Sequence, residues 1–260
     1  MSNKIRIMGA IFLILFLFLS NQIVKGNKNL NPGDNTVNTV NTGELKFISK
    51  EIKEENKELN YSLKASYPQL DAYSNTEIQK NFNNRIYSVV IEKIDAFKKE
   101  VVDYQGNPQM PSSFLMEYSV VNNRDNLASI KFLTETYYSQ SAHPSHEIFT
   151  FNYNLKNDDI ISLADLFKKD TNYLKIISDY CISDLTKQIT EEGYKPDASW
   201  IAEGGGPKAE NFRCFNLTGQ SLIIIFQEYQ VAPYVEGIKE VTIPYSKLKE
   251  VINPEWIYLK

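Results

Sequence analysis

The stretch Phe226 to Leu248, FQEYQVAPYVEGIKEVTIPYSKL, decides how this chain folds. It is preceded by Ile223, Ile224 and Ile225, and with Phe226 these form a β-branched and aromatic run suited to a strand buried on both faces. Pro233 then falls between Tyr229 and Tyr234. Proline cannot donate to a ladder, so the chain must leave the sheet here and return as a closing strand and helix from Val241 onward. Two tyrosines on a proline-stiffened loop offer apolar area and a hydroxyl at low entropy cost, which is the composition of a contact surface.

Working outward, Arg213–Leu217 and Leu222–Glu228 form a hairpin through Thr218-Gly219-Gln220-Ser221. A long helix precedes it, from about Asn172 to Glu192, with Leu174, Ile177, Cys181, Leu185 and Ile189 inward and Gly193 as its stop. Ser162 and Asp165 are spaced as a capping box with Asp in place of the commoner Glu. In the first half, Leu59, Tyr61, Leu63, Ala65 and Tyr67 alternate with polar residues as a half-buried strand ended by Pro68. Ile78, Phe82, Ile86, Val90, Ile94, Phe97 and Val101 are spaced as the apolar stripe of a second long helix. Strands follow from Phe114 to Val120 and from Leu127 to Tyr138, joined by a turn at Asn122–Asn126. After a loop at Ser139–His146, another strand runs from Ile148 to Leu155. Short links between strands imply antiparallel pairing. The expected class is α+β, mainly antiparallel sheet packed by two long amphipathic helices, with two small α+β subdomains as the finer alternative.

The N-terminus reads as an export signal. Lys4 and Arg6 precede an apolar run from Ile7 to Leu19, too short for an ordinary membrane span, and Val24 and Gly26 suit a cut after Gly26. Residues 1–26 are thus expected to be a signal peptide, with a retained signal anchor as the alternative. Residues 27–43, rich in Asn and Thr, read as a flexible tether. Residues 44–140 and 141–260 form the two halves. The protein is expected to be exported, whether extracellular, periplasmic or membrane-tethered, with membrane contact only through the N-terminal segment.

The chain carries 28 basic and 32 acidic side chains. Three of the basic ones, Lys4, Arg6 and Lys25, and none of the acidic ones lie in residues 1–26, so the remainder is more acidic than the whole. That argues against a nucleic-acid partner, which calls for a basic patch, and favours a basic one. Charge of this size also serves solubility alone. Cys181 and Cys214 permit one disulfide outside the cytoplasm, clipping helix to sheet; two separate buried thiols are the alternative.

Catalytic patterns are missing. His143 and His146 are the only histidines, and even with Glu147 they make no recognised metal motif. There is no G-x-S-x-G elbow, and Gly204-Gly205-Gly206-Pro207 has no following Lys-Ser/Thr, so it reads as a flexible loop. Asp158-Asp159 and Glu191-Glu192 fall where solvation explains them, and Trp200 is either a contact residue or a core plug. No cofactor, no metal and no enzyme activity are expected.

Two blocks carry a family resemblance. EYQVAPYVEG followed by VTIPYSKLKEVI is one; Ala142-His143-Pro144 with FTFNYNLKNDDIISLADLF, Phe149 to Phe167, is the other. Together they resemble the extracytoplasmic domain shared by the anti-sigma factor RsiV, the accessory part of the peptidoglycan deacetylase PdaC and many exported bacterial proteins. The more divergent N-terminal half is similar to the companion domain found beside it. The resemblance implies an envelope protein without a catalytic centre, and a lysozyme-like protein or wall glycan as ligand. It makes the loops Ser139–His146 and Tyr229–Gly237, with Trp200–Pro207, the contact surface. Ser141, His143, Tyr229, Pro233 and Tyr234 are the residues implied to bind. An accessory or catalytic role in polysaccharide modification and a purely structural envelope role are the rivals. The apolar run begins at residue 7, so sigma-factor sequestration is not expected.

Overall fold

The computed structural model describes residues 43–103, 110–124, 126–139 and 141–257. The expected export signal, the tether up to residue 42, and Asp125 and Gln140 of the expected turn and loop lie outside the described residues.

The first layer system is a six-stranded sheet whose strands follow chain order. Its members are β1 (Lys46–Asn56), β2 (Tyr61–Asp71), β3 (Ser112–Arg124), β4 (Leu127–Tyr137), β5 (Ser145–Asn154) and β6 (Asp159–Ile160). Helix α1 (Thr76–Asp103) crosses between β2 and β3, which therefore pair in parallel, the one departure from the expected antiparallel pattern. The α1 stripe Phe82, Ile86, Val90, Ile94, Phe97 and Val101 packs on the alternate residues Tyr61, Leu63, Ala65 and Tyr67 of β2 and Ile130 and Phe132 of β4. Pro68 does not end β2. The β2–β3 ladder stops at Ala65↔Met116, so no partner on that side requires an N–H from Pro68, and the strand runs on to Asp71 against β1.

The second sheet holds β7 (Phe215–Leu217), β8 (Ser221–Phe226) and β9 (Lys239–Pro244), all antiparallel. One face, with Leu217, Leu222, Ile224, Phe226, Val241 and Ile243, packs on Ile177, Cys181, Leu185 and Ile189 of α2 (Tyr173–Glu191). Short helices α3 (Ala198–Gly204), α4 (Tyr245–Leu248) and α5 (Pro254–Ile257) complete the structure. The opposite face turns to the first sheet, where Ile225 and Cys214 pack with Ile148 of β5. A buried polar cluster stitches the sheets there. Asn216 Nδ2 donates to Ser129 Oγ at 2.9 Å, Ser129 Oγ donates to Asn152 Oδ1 at 2.6 Å, and Asn152 Nδ2 donates to Phe215 O at 2.8 Å. The class is α+β, with a helix on the outer side of each of two facing sheets.

The boundary expected after residue 140 falls between β4 and β5, which pair from Leu127↔Asn154 to Thr136↔Ser145. The larger sheet therefore crosses it. The cysteines are not bridged: both are free and buried, Cys181 in the core between α2 and the small sheet, Cys214 in the seam between the sheets. Burial pushes both thiols up from their ordinary range.

Candidate functional site

β5 begins where β8 ends, and side chains tie the two together. Ile148 N donates to Gln227 Oε1 at 2.9 Å, and Gln227 Nε2 returns a bond to Ile148 O at 2.6 Å. One residue on, the Glu228 carboxylate accepts from His146 N at 3.2 Å and lies 2.7 Å from His146 Nδ1. His146 Nε2 lies 3.3 Å from Glu135 of β4. Adjacent residues on a strand point to opposite faces. Glu147 accordingly turns to the other side and pairs with Lys93 of α1 at 2.6 Å, so it does not join the histidines. No group of three or more metal-ligating side chains comes together among the described residues.

These bonds set the loop after β8 beside the loop before β5, and their rings meet. His143 and Tyr234 lie 4.3 Å apart between centroids, and Tyr234 and Tyr229 lie 5.7 Å apart. The Tyr234 hydroxyl donates to Pro144 O at 3.2 Å, and His143 Nδ1 lies 2.8 Å from the same oxygen. Partial burial, with the Glu228 carboxylate nearby, raises the Tyr234 hydroxyl above its ordinary pKa, so at neutral pH it is a donor. Tyr229 is 52% exposed and Val235 is 71% exposed, with Pro233 and His143 also exposed. Ser141 is half-buried at the loop's start, its N–H donating to Tyr138 O at 2.8 Å.

Tyr229 holds φ 62°, a conformation that costs an ordinary side chain about 1–2 kcal/mol and persists where neighbours over-determine it. Helix α3 is that neighbour. Asp197 caps it, accepting from Ser199 N and Trp200 N, and Trp200 Nε1 donates to Tyr229 O at 2.9 Å. Trp200 is therefore a half-buried bracket for the loop, neither core plug nor free contact. The expected flexible glycine loop is instead packed: Gly204 ends α3 and Gly205 follows it, both buried. A Cβ on Gly204 would fall 1.9 Å from Gln230 O, so only glycine permits this approach. Gln230 Nε2 donates to Gly204 O at 3.0 Å and to Asn211 O at 2.9 Å, closing the clasp.

The far end of the loop has its own anchor, which the sequence did not disclose. Lys239 on β9, with its side chain 4% exposed, pairs with Glu192 at the end of α2 and lies 3.8 Å from Glu236. Glu192 is thus an ion-pair partner and not merely a solvated helix end. Chemically the site is a rigid aromatic ridge flanked by carboxylates. The two nearest, Glu228 and Glu135, are both engaged by His146.

Comparison with known proteins finds relatives over both halves of the chain. Residues 164–246 match the family described as Protein of unknown function (DUF3298), and residues 52–146 match the family Deacetylase PdaC. The chain is 29% identical over 212 residues to Anti-sigma-V factor RsiV of Bacillus subtilis (strain 168), covering 79% of this chain and 70% of that protein. It is 28% identical over 167 residues to the Peptidoglycan-N-acetylmuramic acid deacetylase PdaC of the same organism, covering 64% of this chain but only 35% of that one. The chain thus spans about a third of the length of PdaC. A DUF3298 family structure from Bacteroides fragilis NCTC 9343 superposes with TM-score 0.63 at 16% identity, covering 84% of this chain and 98% of that one. One from Pseudomonas aeruginosa PAO1 gives 0.61 at 14%, covering 83% and 97%. The fold is shared. Among the described residues no helix is long and apolar enough to cross a membrane.

Proposed function

We propose that this chain, which carries a DUF3298-type domain resembling both RsiV and PdaC, is an exported, non-catalytic binding module of the bacterial cell envelope. Its ligand is a basic, lysozyme-like protein. The observation that carries this reading is the row of rings His143, Tyr234 and Tyr229, held at both ends and topped by exposed Pro233 and Val235. Rigid amphipathic rings fixed before binding lose little entropy on contact, which is what interface anchors require. The acidic balance of the chain favours a cationic partner and a fast, salt-sensitive encounter.

The test is binding of the purified protein to hen-type lysozyme beside its Tyr234→Ala variant. Binding in the nanomolar to micromolar range, weakened about tenfold or more by the substitution while the unfolding midpoint holds, supports the reading and locates the surface. Absence of binding at high micromolar lysozyme and low salt removes this partner, and a pull-down on wall glycan then tests the other ligand class implied by the kinship with PdaC.

A further inference from the structure

At the other end of β5 from the aromatic ridge, the seam between the two sheets opens. β6 pairs with β5 only at Tyr153 and Asn154, after which the chain peels away toward the capping box at Ser162. The result is a cleft of about 410 Å³, walled mainly by Ile160, Ile161, Leu163, Tyr173, Phe212 and Phe215. Its walls are fixed: Tyr173 stacks on Phe167 at 4.3 Å, and Phe212 meets Phe226 edge-on at 6.3 Å. Ile160, at the cleft, is 46% exposed, a large apolar surface left in solvent.

The polar groups of the lining divide sharply. Thr150 Oγ1 accepts from Phe215 N at 3.2 Å, Asn152 is bonded to Phe215 O and Ser129, and Ser162 is bonded to Asp165. Among the described residues Arg213 alone of the lining is charged; it is exposed and has no ion-pair partner. A partly open, mostly apolar concavity of this size between two sheets, with one charged residue in its lining, has the composition of a small-molecule site. Guanidinium in turn selects planar anions that it can grip with two parallel N–H groups.

We propose that this cleft binds a small amphiphilic carboxylate, its aliphatic body laid on the apolar walls and its head paired with Arg213. This site is separate from the aromatic ridge and does not depend on the ridge having a protein ligand.

Decanoate is the probe, with decanol as the same chain lacking charge, followed by calorimetric titration of the whole protein. Decanoate is expected to bind saturably and about tenfold or more tighter than decanol. Arg213→Gln should bring decanoate to the level of decanol and leave decanol unchanged. Ala164→Trp, which fills the cleft from an exposed position, should abolish both; Ala209→Trp is the second filling variant should the first fail to fold. Equal affinity for the two probes, indifference of decanoate to Arg213→Gln, or no saturable binding of either would overturn the proposal.

Discussion

Lys239 shows how much a single buried charge settles. With Glu236 only 5% exposed in its side chain and one of its carboxylate oxygens without a hydrogen-bond partner, the lysine is what makes that carboxylate tolerable. Lys239→Met is expected to cost about 3 kcal/mol in denaturant unfolding, the low end for a broken buried pair because Glu192 is half exposed. Adding Glu236→Gln should return part of that loss, whereas a purely steric role for Lys239 predicts no recovery. Glu54 is one carboxylate through which stability depends on pH. Its carboxylate accepts from Lys98 at 2.6 Å and from the Tyr61 hydroxyl, and these bonds, the lysine first, hold its pKa below the usual carboxylate range. A depressed folded-state pKa gives stability that is complete above the ordinary value and lost as pH falls through the folded one. Glu54→Gln should therefore lower the thermal midpoint at neutral pH, and the two proteins should converge as pH drops into the acid range. Convergence on the alkaline side instead would sink this account. At this scale the sequence was half legible. Tyr229, Pro233 and Tyr234 announced themselves by residue type on a proline-broken loop, but Glu228, Glu135 and Glu192 take their roles from partners distant along the chain, which no local pattern encodes.

Among the elements, α3 does most to shape the candidate surface although it is only 7 residues long. Its contact with the Tyr229 loop passes through Gly204, so Gly204→Ala must push backbone against backbone and not merely crowd a flexible side chain. We expect a loss of about 1–3 kcal/mol, the usual range for overpacking, together with weaker ligand binding through the displaced Tyr229. An unchanged unfolding midpoint would show that the clasp yields freely. The glycine run could not be read this way from sequence, because glycine marks both slack loops and close approaches. β1 escaped for a related reason. KFISKEIKEEN is crowded with lysine and glutamate because an edge strand is solvated along most of its length and charged to discourage pairing with other chains, so the alternation that reveals buried strands is blurred. The two long helices and β2, by contrast, were plain from their periodicity. Each presents one face to a core, and a one-sided environment writes itself into the sequence.

In the whole molecule, two facing sheets meet through a few buried polar side chains as well as apolar ones, and Asn216 Oδ1 among them lacks a hydrogen-bond partner. Such a seam specifies how the sheets must register, since a shift strands buried amides without bonds. The sheets themselves could be expected from strand count and short links, but their stacking depends on Ser129, Asn152 and Asn216, which look like ordinary surface polars in isolation. The strand order of the larger sheet has a consequence in time as well as in space. Because β1 to β6 lie side by side in the order they are made, a chain delivered N-terminus first finds a docking edge already prepared for each new strand, with α1 supplying the single long return. Such nearest-in-sequence pairing keeps the loop closed by each antiparallel neighbour short, and leaves the parallel β2–β3 pairing across α1 as the costly closure of this sheet. It also shortens the interval during which each raw edge is open to neighbouring chains, a hazard that grows wherever many copies emerge together.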